Sequence, residues 1–191
     1  MIKTNKEFWG TKVILALFII FFLSWVYLQI FKTDDFSIQN QIFGASYCLL
    51  ALIGGLSGIQ IAKKWGGLKS VMGKAIYYLS FGLLGQVFGQ IAYSFYTFYF
   101  KMEIPYPSIG DIGFISSLVF YVIGLYYFAK ASGVIFNLRN FKTKIFAIVT
   151  PAFMLLISYL LFLKSYQFDW NNPIKIILDF GYPFGEAFYI S

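Results

Sequence analysis

The sequence predicts an all-α protein, a polytopic helical membrane bundle of about six spans, on three observations. Of its 191 residues 59% are hydrophobic and 12% charged; a soluble domain carries roughly 25% charged residues, so polar surface is too scarce here to cover a water-soluble core. Five apolar runs are long enough to span, and a sixth is under way at Ser191. A hydrocarbon core about 30 Å thick takes about 20 helical residues to cross. Lysine and arginine gather in alternate connections, as the positive-inside rule requires of a polytopic chain.

Taken in order, the first span covers 13–31, behind Lys3, Lys6 and Lys12. Lys32-Thr33-Asp34-Asp35 offers no small-residue cleavage site, so this is an uncleaved helix and not a signal peptide. The second span covers 42–62 and is followed by the basic loop KKWGGLKSVMGK; the third covers 75–100. The fourth covers 111–131 and leads to a loop with Arg139, Lys142 and Lys144; the fifth covers 145–163. Asn172-Pro173 opens the sixth over 173–191, with Asn as N-cap and Pro at the first helical position, where a missing amide costs nothing. No polar end follows, so this last span is expected to be incomplete and the natural chain to continue into the cytoplasm. The whole of 1–191 reads as one transmembrane domain without a soluble one.

Eleven basic residues fall at the N-terminus and in the 63–74 and 130–144 connections, against four (Lys32, Lys101, Lys164 and Lys175) on the other side. The N-terminus is therefore expected in the cytoplasm. Trp9 and Trp65 sit at the inner edge and Trp170 at the outer, where indoles anchor. The net charge of +7 lies beside spans, which favours anionic lipid over nucleic acid as its partner. The single Cys48 excludes an internal disulfide, and the absence of histidine excludes histidine-ligated zinc, bis-histidine haem and histidine general-base catalysis. No phosphate loop, nucleophile elbow or paired-cysteine motif occurs, so the segment is expected to be no enzyme and to hold no metal or cofactor.

Polar side chains inside the spans are the candidate site. Ser108 and Asp111 have capping-box spacing, and a carboxylate in the first turn suits the helix dipole. Asp111 is thus a cap or a site residue. Gly82, Gly85 and Gly89 share the third helix with Gln86, Gln90 and Tyr93; close helix packing is the first reading and a ligand-lining face the second. Gly54 and Gly58 receive the packing reading as well. Asp179, Pro183 and Glu186 fall at i, i+4, i+7 on one helical face beside Tyr182. Glu186 is 13 residues past Pro173, about 20 Å along the axis and deep in the hydrocarbon layer. Ionisable groups there face a protein interior or water, and Pro183 frees a carbonyl where a kink can line a cavity. The other reading of Glu186 is a neutral, hydrogen-bonded carboxyl at a structural kink. Tyr and Phe, 39 together, read as bulk filling of the bundle.

Pro105-Tyr106-Pro107-Ser108-x-x-Asp111, then Phe120-Tyr121 with Gly124-Leu125, and later Leu178-Asp179-x-x-Tyr182-Pro183-x-Gly185-Glu186 form a pattern over roughly 75–191. It resembles the N-terminal multi-span membrane input (sensor) regions of prokaryotic signalling proteins, those that precede GGDEF, EAL or histidine kinase modules. Val122 stands where that pattern often has proline, and Glu186 where it has aspartate. The resemblance implies a multi-pass protein of the prokaryotic plasma membrane that couples a membrane or envelope cue to a cytoplasmic signalling domain or partner. Homodimerisation is left open. The alternative is a small transporter or ion-conducting protein, with Asp179 and Glu186 as a proton or cation relay and Gln86 and Gln90 lining the path.

Overall fold

Small residues and caps set the architecture. A computed structural model describes residues 5–31, 37–133, 141–164 and 166–190, and every regular element among them is helical. In order these are α1 (Asn5–Ile30), α2 (Ile38–Ser46), α3 (Cys48–Lys64), a 3-10 turn (Gly67–Lys69), α4 (Val71–Phe98), α5 (Ile109–Ala131), α6 (Phe141–Ser158) running into a π-helical turn (Tyr159–Leu163), and α7 (Pro173–Ile190). Lys32, Asp34, Asp35, Arg139 and Ser191 lie outside the described residues.

Five stretches are long and apolar enough to cross a membrane: Lys12–Ile30, Ile38–Lys64, Val71–Phe98, Ile109–Ala131 and Lys144–Leu161. They answer to the first five expected spans, and caps account for several displaced starts. The Ser37 hydroxyl accepts from the Asn40 amide at 3.3 Å, starting the second stretch at Ile38 and not at residue 42. Ser70 accepts from the Gly73 amide at 2.9 Å, so α4 begins at Val71 and not at residue 75; its hydroxyl also donates to the Trp65 carbonyl. The second stretch is two helices, α2 and α3, because the chain tightens at Tyr47, whose carbonyl accepts from the Leu50 amide at 3.2 Å. Nothing in the apolar run signals that break. α7 begins at Pro173 as the Asn-Pro pair predicts, but with Lys175, Asp179 and Glu186 in 18 residues it is not among those five.

Glycine stripes bring the helices together. α4 and α5 form an antiparallel hairpin in which Gly85 faces Gly113, Gly89 faces Gly110 and Gly124 faces Leu79. A Cβ on Gly113 would stand 2.6 Å from the Gly85 carbonyl oxygen, a separation that only two bare backbones permit. α3 lies antiparallel on α4, with Gly55 against Leu84 and Gly58 against Ser80. The glycines of the second and third spans therefore serve packing. α7 runs in the same direction as α5, Tyr182 meeting Asp111 and Gly185 meeting Leu118, while α6 packs on α7.

The buried apolar residues are mostly small or medium, among them Ala62, Ala75, Val87 and Ala187, whereas Phe146 and Ile148 are each 71% exposed. Large apolar side chains point outward on every long helix, the reverse of a water-soluble bundle and the arrangement a lipid solvent allows. The chain is thus a membrane-associated helical bundle.

Candidate functional site

Asp111 is placed by its own helix start. The Ser108 hydroxyl accepts from the Gly110 amide at 3.1 Å while the Asp111 carboxylate accepts from the Ser108 amide at 2.6 Å, completing the capping box. The Ser108 hydroxyl donates to the same carboxylate oxygen at 3.1 Å. The other oxygen accepts from two phenols, Tyr93 of α4 at 3.1 Å and Tyr182 of α7 at 2.7 Å. Asp111 is 3% exposed, and four donors occupy the roughly four lone-pair positions of a carboxylate. It is therefore both the cap and a junction of three helices.

Asp179, one turn above Pro183 in α7, is built the same way. It accepts from Tyr106 in the loop before α5 and from Tyr166 in the loop before α7, each at 2.7 Å. Tyr166 is braced by edge-on contacts with Phe168 and Phe180. Its phenol is pushed up to about 12, first by the bond to Asp179 and then by burial. The Tyr106 phenol is pushed up by burial first and by the same carboxylate second. Both therefore keep their protons, and hence donate, across the ordinary pH range.

Beside the Asp111 junction lies an open cleft of ≈ 380 Å³ lined by Gln86, Tyr93, Tyr106, Asp111, Tyr182 and Glu186 together with Phe114, Ser117 and Leu118. Glu186 is an exposed residue that borders the cleft, and no hydrogen bond joins it to another described residue. No family model, curated protein or solved structure matches the chain. The site is accordingly read from its own geometry.

Of the six candidate residues, Asp111, Tyr182, Glu186 and Gln86 come together at the cleft, and Asp179 joins it through Tyr106. Gln90 does not. Its amide donates to the Gly44 carbonyl at 2.7 Å and accepts from the Tyr47 hydroxyl at 2.8 Å, tying α4 to the α2–α3 break. Residues four apart on a helix differ by about 40° in direction, and that rotation carries Gln90 from the α5 side of α4 to the α2 side. Pro183 lies inside α7 as expected. Sequence reasoning missed Tyr106 and Tyr166, which it counted as bulk. The available signal was that a phenol in an apolar chain needs an acceptor, and only a few carboxyls lie on that side of the bundle.

Among the described residues no three of His, Cys, Asp and Glu gather closely enough to hold a metal ion. The arrangement presents hydrogen-bond acceptors to a space between two parallel helices.

Proposed function

We propose that this chain is a membrane-embedded input module of a prokaryotic signalling protein, in which α7 carries a cue from the cleft to the cytoplasm. The observation that carries this reading is the pair of aspartates that tie α7 to the rest of the bundle: Tyr182 to Asp111, and Asp179 to Tyr106 and Tyr166. Each tie is a small set of directed bonds that a ligand in the cleft can replace. α7 then has two dockings on α5, and a ligand acts through its differential affinity for them. The basic loops put the far end of α7 on the cytoplasmic side by the positive-inside rule, where an output domain or partner receives the shift. Six spans with a cytoplasmic N-terminus belong to this reading.

A transporter needs a polar path across the layer. Beyond Glu186 α4 and α5 meet through Gly124 against Leu79, Tyr78 stacked on Tyr127 at 5.7 Å and the Lys74 ammonium 5.4 Å from the centre of the Tyr127 ring, and neither helix carries a further carboxyl there to continue a relay, which supports input over conduction. Proteoliposomes with an internal pH dye and a potassium gradient separate the two. No protein-dependent proton or cation flux is expected, with or without Glu186→Gln. A flux that Glu186→Gln abolishes overturns the input reading in favour of transport.

A further inference from the structure

A separate pocket of ≈ 400 Å³ lies where α4 ends against the start of α2. The second and third membrane-crossing stretches begin and end there, at Ile38 and Phe98, so the pocket is at a membrane edge, where lipid headgroups lie. Its lining combines apolar side chains, Ile38, Phe98 and Met102, with two charges, Lys101 and Glu103. The turn that carries these charges is built in an uncommon way. The Met102 amide donates to the Tyr96 carbonyl at 3.3 Å, and Lys101 before it takes a φ of 51°, the one positive φ outside glycine among the described residues. Glycine is the ordinary occupant of such a helix end, because a Cβ is disfavoured there. The chain thus accepts strain to present a cationic side chain at this point.

Lys101 and Glu103 are two residues apart, yet neither is ion-paired with the other or with another described residue. The negative end of the α4 dipole suits Lys101 and repels Glu103, so the carboxylate calls for a cation and the ammonium beside it still has room for an anion. We infer that this pocket binds one aminophospholipid, a lipid whose head joins a phosphate to a primary ammonium. The phosphate meets Lys101, the ammonium donates to Glu103, and an acyl chain runs along Ile38, Phe98 and Met102. An anionic lipid without an amine would bring its charge beside Glu103 uncompensated, and a choline head offers that carboxylate no N–H. The inference is independent of the cleft between α5 and α7 and of any cue or output there.

The test is native mass spectrometry of the full chain released from micelles that hold equal amounts of phosphatidylethanolamine, phosphatidylcholine and phosphatidylglycerol. One phosphatidylethanolamine retained per chain is expected, about tenfold over each of the other two. Glu103→Gln is expected to abolish the preference over phosphatidylcholine, and Lys101→Gln to lower retention of phosphatidylethanolamine about tenfold. Helicity by circular dichroism is checked first; if Lys101→Gln loses it, Lys101→Gly removes the same charge with a residue that suits the backbone there. Lys130→Gln, an equal loss of charge at an exposed position in the last turn of α5, is expected to leave retention unchanged. Soluble glycerophosphoethanolamine, the same head without acyl chains, is expected to displace no lipid at equal concentration. Equal retention of the three lipids, preference for phosphatidylglycerol, a phosphatidylethanolamine preference that survives either the Glu103 or the Lys101 substitution, a loss on Lys130→Gln equal to that on Lys101→Gln, or displacement by the soluble head would each overturn the inference.

Discussion

Asp111→Ala is expected to destabilise the bundle by about 2–4 kcal/mol, the sum of a lost cap at about 1 kcal/mol and of hydrogen bonds to a charged acceptor that are individually modest in membranes. The change leaves the Ser108 amide and the Tyr93 and Tyr182 phenols, which bond this carboxylate at 2.6, 3.1 and 2.7 Å, without that acceptor. Stranding partners costs more than the bonds gained by making them, because each group remains desolvated. The measurement is reversible unfolding in mixed micelles as the denaturing detergent fraction is raised. Asp111→Asn is expected to fall between, since its amide keeps one acceptor oxygen. A midpoint for Asp111→Ala equal to that of the unaltered protein would mean that the junction contributes nothing.

Gly113→Ala is the second large effect, at about 2–3 kcal/mol in the same assay. The added methyl would lie 2.6 Å from both the Gly85 carbonyl oxygen and the Gly89 amide nitrogen. These are backbone atoms, which cannot turn aside as a side chain does, so α4 and α5 must separate along their length. Gly181→Ala is the matched control: its methyl meets only Ile115, at 4.0 Å, and a change within about 0.5 kcal/mol is expected. Equal effects at the two positions would show that the loss at Gly113 reflects glycine chemistry in general and not the helix contact.

The helices were legible because lipid imposes one rule on every span: a run of about 20 apolar residues with its backbone bonded internally. The starts of α5 and α7 were legible too, since Ser108-x-x-Asp111 and Asn172-Pro173 are local signals that need no tertiary context. The caps at Ser37 and Ser70 were equally local and were passed over because hydropathy, not capping, had set the edges. The break at Tyr47 had no local signal, as its bond with Gln90 comes from a helix 43 residues away. The same reasoning explains Gln90 itself. Sequence spacing placed it with Gln86 on one face, and only the position of α2 decides that it is a brace.

The site was half visible. Asp111, Asp179, Tyr182 and Glu186 stand out because ionisable or hydroxyl groups in an apolar chain are conspicuous. Which phenol meets which carboxylate depends on α5 and α7 running side by side in the same direction, and no periodicity encodes that. Gly110, Gly113, Ser117 and Gly124, all buried on the α4 side of α5, did form a readable stripe at i, i+3, i+7, i+14. It is the partner of the Gly82, Gly85, Gly89 stripe, and together the two predict the α4–α5 hairpin.

The central claim is that Asp111 and Asp179 hold α7 in one of two dockings. It is tested most directly by pulsed electron resonance on the full chain in nanodiscs. Spin labels go at Leu56 on α3 and Phe184 on α7, both exposed, with the buried Cys48 replaced by serine. α3 packs on α4 and α7 on α5, so the distance reports movement of α7 against the hairpin. A single narrow distribution is expected for the otherwise unaltered protein. With Asp111→Asn and Asp179→Asn together, a second population displaced by on the order of 5 Å, one helical turn, is expected. One unchanged narrow distribution in the doubly substituted protein would contradict the account.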